Sequence, residues 1–261
     1  MARLRIMDQS TMLGRTFAIV EAFGTNDVLL SLADLARRTE LPKSTVHRIA
    51  NRLVAQQWLE RVDAQYRLGI RLFELGQLFE LQRFRLRETA LPFMEDLYEA
   101  THEIVNLAVL DDDEMVYIEK ISGHRRVPIE TRLGCRMPAH CTALGKAVLA
   151  FADPDAIERV ITAGLPAKTP HSITDPTALR KQLKEIAMKR VAIDKGEYMP
   201  NVVCVAAPIF NGNKPVAAIS VTGPAPRIDV RAVSAAVQTA ALGISRMMRT
   251  QAEAARARGR S

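Results

Sequence analysis

The sequence lacks long apolar runs and is poor in cysteine. No apolar stretch approaches the roughly 20 residues that a membrane-spanning helix needs, and the basic, interrupted start differs from a secretory signal peptide. We therefore expect a cytoplasmic protein with no membrane partner. The three cysteines, Cys135, Cys141 and Cys204, include no Cys-x-x-Cys pair, so they predict a reducing compartment and no disulfide framework.

Motifs for catalysis and cofactor binding are also missing. The chain has no Gly-x-Ser-x-Gly elbow, Gly-rich phosphate loop, dinucleotide-binding fingerprint or His-Glu-x-x-His pattern. A thiol-dependent enzyme remains an alternative, with Cys141 beside His140 or Cys204 near Asp194. Adjacent side chains tend to point apart, so His140 is poorly placed to activate Cys141. We expect no catalytic residue, cofactor or metal; His140 with the nearby cysteines is the alternative metal site.

Positive charge is concentrated at the two ends of this 261-residue chain, whose length predicts two domains. The net charge is +7: residues 1–90 contribute +4, residues 246–261 contribute +4, and residues 91–245 contribute −1. The amino-terminal part is therefore suited to an anionic polymer, while the middle is nearly neutral. We interpret the arginine-rich tail as a solvated helix end.

Two short helices joined by a tight turn are predicted from Ser31 onward. Ser31 and Asp34 fit a capping box at the first helix, and Pro42 suits the first turn of the second. Glu40 occupies a turn position where many such motifs have glycine, so we expect the turn to be slightly strained or differently shaped. The residues expected to face inward from the second helix are Val46, Ile49, Ala50 and Leu53. This arrangement predicts a helix-turn-helix.

The outer surface of the second helix carries cations and hydroxyls, the donors that phosphates and guanine edges accept. Alternating residues on both sides of the turn at Asp63 and Ala64 then predict a hairpin, the wing. Helix, turn, basic helix and wing in this order favour double-stranded DNA as the partner. The predicted DNA-binding residues are Arg37, Lys43, Ser44, Thr45, His47, Arg48, Arg52, Arg61 and Arg67.

Residues 69–102 have apolar side chains at helical spacing, with a break predicted near Leu91 because Pro92 follows. A helix so rich in leucine and phenylalanine needs a partner surface, either the adjacent domain or a second copy of the chain. We favour a homodimer, because one helix-turn-helix alone makes few DNA contacts.

The second half alternates between strand-like and helix-like segments. Two pairs of strands, each joined by a polar turn, predict an α+β domain with a mostly antiparallel sheet flanked by helices. The expected strands are 104–110, 115–121, 202–209 and 216–222. The expected helices are 143–151, two that begin at Asp153 and Asp175, and 228–249.

Several separated motifs resemble the isocitrate-lyase-regulator (IclR-type) family of bacterial transcription factors. The segments that carry the resemblance are Leu-Pro-Lys-Ser-Thr-Val-His-Arg (41–48), Pro-Ala-His-Cys-Thr-Ala-Leu-Gly-Lys (138–146), Cys-Val-Ala-Ala-Pro (204–208) and Ile-Ser-Val-Thr-Gly-Pro (219–224). The resemblance implies a winged helix-turn-helix at residues 1–70, a linker helix at 71–90 and a GAF-like effector domain at 91–261. It also implies operator binding as a homodimer or homotetramer. We expect a repressor; an activator of an aromatic-acid catabolic operon is the alternative.

The resemblance further implies a pocket for a small carboxylate effector. Carried over by motif, its lining is Met137, Ala143, Leu144, Asp194, Val202, Cys204, Ser220 and Thr222. Backbone amides at the helix start near Thr142 would attract the carboxylate, and Ser220 and Thr222 share one strand face. The segment 194–201 departs from the family pattern, so Asp194 either contacts the effector or only caps a turn. An architectural DNA-binding protein without an effector is the remaining alternative.

Overall fold

The computed structural model describes residues 9–24, 27–82, 86–122 and 131–258. The chain divides into two compact units, Met1–Arg83 and Phe84–Ser261, each with its own hydrophobic core. The predicted linker, residues 71–90, spans this division. Within the described ranges, no helix combines the length and apolar character needed to cross a membrane.

The first unit contains four helices and a small antiparallel sheet in its described part. The helices are α1 (Met12–Glu21), α2 (Leu32–Thr39), α3 (Lys43–Ala55) and α4 (Ile70–Gln82). The strands are β1 (Leu30–Ser31), β2 (Leu59–Val62) and β3 (Gln65–Leu68), in the order β1-β3-β2. The predicted helix-turn-helix and wing hairpin are confirmed, whereas α1 and β1 were not predicted.

The start of α2 and the turn after it follow the predicted local chemistry. Ser31 Oγ accepts a hydrogen bond from Asp34 N at 3.1 Å, and Asp34 Oδ2 accepts one from Ser31 N at 3.2 Å. The capping box is therefore confirmed. Glu40, the residue after α2, has a left-handed backbone with φ of 57°, which a glycine would adopt at lower cost. Pro42 directly precedes α3 as its N-cap.

The apolar face of α3 lies in the core of the first unit, as predicted. Val46, Ile49, Ala50 and Leu53 are all buried there. Tyr66 of β3 is 2% exposed and belongs to the same core, so the wing is held to the helices by an aromatic side chain. This packing fixes the outward direction of the remaining α3 side chains.

The second unit is built on a six-stranded antiparallel sheet in the order β6-β5-β4-β9-β8-β7. The strands are β4 (Ile104–Asp111), β5 (Glu114–Ile121), β6 (Arg136–Pro138), β7 (Ala192–Lys195), β8 (Val202–Asn211) and β9 (Lys214–Pro224). The helices are α5 (Leu86–Thr101), α6 (Ala143–Leu149), α7 (Pro154–Ala163), α8 (Pro176–Lys189) and α9 (Val230–Arg258). The predicted α+β class with an antiparallel sheet is confirmed.

The two faces of this sheet have different cores. Val203 and Val205 of β8 pack in the core that contains α5 and α9, whereas Cys204 and Ala206 pack in the core that contains α6. Alternate residues of a strand point to opposite faces, so these two sets identify which side each position of the sheet occupies. We call the side that includes Cys204 and Ala206 the α6 face.

Two expectations for this unit were wrong in detail, and two short strands were missed. Pro92 lies inside α5 and does not end it. The buried neighbours Ala90 and Met94 pack in the core, and this packing offsets the hydrogen bond that proline removes. The final helix extends beyond residue 249 to Arg258, and the short strands β6 and β7 were not predicted.

Candidate DNA-binding surface and effector pocket

The outer surface of α3 presents cationic side chains to solvent. Lys43, Ser44, His47, Arg48 and Arg52 are exposed, and Thr45 is half-buried. Within the part of the chain that the structure describes, the ammonium of Lys43 and the guanidinium groups of Arg48 and Arg52 form no ion pair. These three groups are therefore available to phosphate oxygens or base edges.

Three other predicted DNA-binding residues already have protein partners. Arg37 forms an ion pair with Asp34 at 3.0 Å. Arg67 donates two hydrogen bonds to the Glu60 carboxylate, at 2.9 and 2.8 Å. Arg61 Nε donates to the backbone oxygen of the wing turn residue Asp63 at 3.1 Å. Exposed contacts of this kind are weak, so these arginines can exchange their present partners for phosphates.

Sequence reasoning missed one polar residue on this surface. Asn51 is exposed on α3, and its Nδ2 lies 3.3 Å from Nε2 of His47, one helical turn earlier. An amide side chain can read an adenine edge. Its spacing of four residues from His47 is the signal that could have identified it.

The structure brings all the predicted effector-lining residues to the α6 side of the second unit. Ala143 and Leu144 lie on α6, and Met137 and Cys204 belong to the same core. Val202 lies two residues before Cys204 on β8 and so faces the same way. The remaining members are buried on neighbouring strands of this face: Asp194 opposite Cys204, Thr222 also opposite Cys204, and Ser220 opposite Ala206.

A chain of buried polar groups crosses this face. Thr222 Oγ1 donates to Cys204 Sγ at 3.0 Å and accepts from Asn106 Nδ2 at 3.4 Å. Thr131 Oγ1 donates to Asn106 Oδ1 at 3.4 Å. Ser220 is 0% exposed, and among the described residues its Oγ has no nitrogen or oxygen partner, only the weakly bonding thiol of Cys204. A buried hydroxyl so poorly satisfied is costly, so Ser220 marks a place where a polar ligand atom would be stabilised.

A second buried cluster lies at the β7 end of the face. The ammonium of Lys146 is fully buried, donates to Ile193 O at 2.9 Å and forms an ion pair with Glu197. Asp194 Oδ1 accepts a hydrogen bond from Glu197 N at 2.6 Å. Burial raises the pKa of Asp194 to about 7, although hydrogen bonds from the backbone oppose this shift. Sequence reasoning gave Lys146 and Glu197 no role.

The start of α6 is fixed by Thr142. Its Oγ1 accepts from Gly145 N at 3.3 Å and donates to Pro138 O at 2.9 Å. A Cβ atom at Gly145 would lie 2.2 Å from Ala139 O, so only glycine permits this approach. The helix has seven residues, all buried.

Cys141, Cys204 and His140 lack the features of a nucleophilic site. Burial raises the pKa of the Cys141 and Cys204 thiols to about 12 in each case, so both stay protonated at neutral pH. His140 Nε2 lies 3.2 Å from Pro166 O, and burial lowers the pKa of its imidazole. Among the described residues, no group of three metal-ligating side chains comes together.

A cleft of about 600 Å³ lies elsewhere, beside the β8–β9 turn and α9. The guanidinium of Arg190 lies over the rings of Phe151 and Phe210, at 5.9 and 5.6 Å from their centroids. Arg246 and Arg249 also line it, and none of the predicted effector residues does. The cleft is therefore separate from the predicted effector lining.

Comparison with known proteins identifies both units. A family model described as the IclR helix-turn-helix domain matches residues 12–63, and one described as bacterial transcriptional regulator IclR C-terminal matches residues 78–246. The chain belongs to the IclR family. Its curated relatives include the HTH-type transcriptional regulator BhcR of Paracoccus denitrificans, 34% identical over 79% of this chain and 75% of that protein. Another is the transcriptional repressor IclR of Escherichia coli, 29% identical over 83% of this chain and 81% of that protein.

Solved structures of IclR-family proteins share the fold. A homolog from Microbacterium hydrocarbonoxydans, complexed with 4-hydroxybenzoate, has a TM-score of 0.85 and 33% identity, covering 92% of this chain and all of that one (100%). The IclR of Thermotoga maritima has a TM-score of 0.76 and 30% identity, covering 91% of this chain and 98% of that one. This IclR-family protein is therefore a transcriptional regulator with a helix-turn-helix domain.

Proposed function

We propose that this IclR-family protein is a repressor that binds operator DNA through α3 and the wing and responds to a small organic acid on the α6 face. The observation that carries the effector part is Ser220, a fully buried hydroxyl without a nitrogen or oxygen partner among the described residues. It lies two residues before Thr222 on β9 and opposite Ala206 of β8, among the apolar residues of the α6 face. Buried polar groups of this kind need partners, and a polar ligand is one.

The α3 surface supports the DNA-binding part. Lys43, Arg48 and Arg52 are exposed cations without acidic partners in the described ranges. Arg48 lies one residue after His47 and two before the buried Ala50, on the exposed side of the helix. Contacts to phosphate supply affinity that falls with salt, while contacts to base edges supply discrimination.

Exposed apolar side chains on the first unit support self-association. On α1, Met12, Leu13 and Phe17 are 41%, 65% and 44% exposed; on α4, Ile70 and Phe73 are 59% and 63% exposed. Clusters of large exposed apolar groups are typical of interaction surfaces. We propose a homodimer, which would place two recognition helices on a two-fold symmetric operator, and pairing of dimers into tetramers would use further surfaces.

The homolog solved with 4-hydroxybenzoate supports an aromatic acid as the effector class, and the E. coli relative named a repressor supports repression. The effector would bind one arrangement of the second unit better and so shift the equilibrium between DNA-competent and DNA-incompetent dimers. Coupling of this kind is typically about 1–3 kcal/mol, a change of about 5- to 150-fold in operator affinity.

Fluorescence anisotropy with DNA from upstream of the protein's own gene tests the proposal. Arg48→Ala should weaken specific binding by about 1–3 kcal/mol, since one good base contact is worth that much. The matched control Arg159→Ala removes an exposed arginine of α7 in the second unit and should bind like wild type. If Arg48→Ala binds as tightly as the control, the α3 surface is not the DNA-binding surface.

A further inference from the structure

Lys120 lies on the same face of the sheet as Ser220. Asn106 of β4 is directly opposite Lys120 of β5 and directly opposite Ser220 of β9. Residues directly opposite each other on neighbouring strands point to one face. Since Ser220 is also opposite Ala206, this row is on the α6 face.

An irregularity in the sheet is what places Lys120 there. The register between β4 and β5 shifts between Leu107 and Ala108: Ala108 is opposite Tyr117, while Leu107 is opposite Glu119. Glu119 consequently faces the other side, where it pairs with Arg87 of α5. Lys120, the next residue, therefore returns to the α6 face.

The ammonium of Lys120 has no acidic partner in the part of the chain that the structure describes. Its Nζ donates to Thr131 O at 2.6 Å, and partial burial lowers the pKa of this lysine. Lys146 differs, because its charge is balanced by Glu197. The β7 end of the face thus holds an ion pair and one further acid. At the β5 end, Lys120 is partly removed from water, and its hydrogen-bond partner among the described residues is the Thr131 carbonyl.

The spacing of the row suits a small ring. Lys120 and Ser220 are separated by two strand spacings, about 10 Å between backbones. Asp194 on β7 is four spacings from β5, about 19 Å, so a one-ring ligand that contacts Lys120 does not also contact Asp194. A carboxylate at the β5 end would meet the unpaired cation and stay away from the acids at the other end.

We propose that Lys120 is the counter-ion of the effector's carboxylate and that Ser220 binds a polar substituent at the opposite end of the same molecule. The ligand class is a one-ring carboxylic acid with a hydroxyl opposite the acid group. This inference rests on the proposed effector function of the α6 face. It assigns the charge recognition to a side chain rather than to the backbone amides at the start of α6.

Calorimetric titration of the full-length protein tests this assignment with three probes: 4-hydroxybenzoate, 4-hydroxybenzamide and benzoate. Wild type should bind 4-hydroxybenzoate about tenfold or more tighter than the uncharged amide, because a charge-assisted hydrogen bond is lost with the amide. Lys120→Met should abolish this preference, and Lys120→Arg should restore most of it. Ser220→Ala should instead reduce the preference for 4-hydroxybenzoate over benzoate. Lys195→Met, at an exposed lysine of β7, is the control and should behave like wild type.

The outcomes separate the two claims. If wild type binds none of the three probes, the proposed aromatic-acid effector is wrong, and the role of Lys120 is wrong with it. If wild type prefers the acid and Lys120→Met keeps the full preference, the effector proposal stands and the assignment to Lys120 is overturned. Circular dichroism melting of each variant shows whether a loss of binding reflects a loss of fold. If Lys120→Met is unfolded, Lys120→Arg, which keeps the charge, is used instead: loss of the preference for the acid in a folded Lys120→Arg protein would overturn the assignment to Lys120.

Discussion

Replacing Asp194 with asparagine should make the second unit more stable at pH 8 and remove much of its pH dependence between about pH 4 and 7. Burial raises the pKa of Asp194 from 3.8 to about 7. The folded protein therefore holds a proton in this window that the unfolded chain has released. Stability consequently falls as the pH rises from about 4 to 7 and stays low above it. Asparagine imitates the protonated acid at every pH and avoids this loss.

The magnitude follows from the size of the shift. About three pKa units at 1.36 kcal/mol each give at most about 4 kcal/mol of stability gained by Asp194→Asn at pH 8. At pH 4 the variant and wild type should be nearly equal. In the wild-type protein, Asp194 Oδ1 accepts a hydrogen bond from Glu197 N at 2.6 Å. The side-chain oxygen of asparagine can accept the same bond, so the variant should keep it.

Urea unfolding at pH 4.5, 6, 7 and 8, followed by far-ultraviolet circular dichroism, measures this effect. Trp58 is the single tryptophan and lies in the first unit, so its fluorescence provides an internal reference whose transition should not move. Asp96→Asn, at an exposed acid of α5, is the matched control and should leave the pH profile unchanged. If Asp194→Asn is no more stable than wild type at pH 8, the carboxylate is ionised and stabilised there, and the reasoning from burial is refuted.

Three further substitutions test the local structure. Ser31→Ala removes the hydroxyl that caps α2 and should cost about 1 kcal/mol in urea unfolding of the first unit; no change would mean that the capping box contributes nothing. Glu40→Gly relieves the left-handed backbone at φ 57° and should stabilise the same unit by up to about 1 kcal/mol, whereas destabilisation would contradict strain at this turn. Gly145→Ala would place a methyl group 2.2 Å from Ala139 O and should unfold the second unit or lower its melting temperature sharply; a melting temperature equal to that of wild type would show that the backbone yields.

Features determined by neighbours in sequence could be predicted. The capping box needs only Ser31 and Asp34 three residues apart, and the buried face of α3 follows from helical spacing around Val46. Asp175 accepts a hydrogen bond from Ala178 N at 2.7 Å at the start of α8, as expected for an acid before a first-turn proline. In each case the interacting groups lie within about one helical turn.

Features that depend on distant pairing could not be predicted. In a regular strand, Tyr117 and Glu119 would share one face and Lys120 would lie on the other. The shift in register instead puts Lys120 on the same face as Tyr117. A displacement of one residue reverses the face of every side chain that follows, and nothing in the local pattern marks it. The ion pair between Lys146 and Glu197 joins residues that are 51 apart and has no local signal either. The polar groups of the α6 face could thus be predicted only in part from the sequence.

The most direct test of the central claim is operator binding with and without an aromatic acid. Full-length protein is titrated by anisotropy against DNA from upstream of its own gene, at fixed salt, with and without saturating 4-hydroxybenzoate and with a panel of other small carboxylates. The account predicts specific binding that one of these acids weakens by about 5- to 150-fold. Specific binding that no carboxylate changes would contradict effector control, and the absence of specific binding even at low salt would contradict the proposed repressor itself.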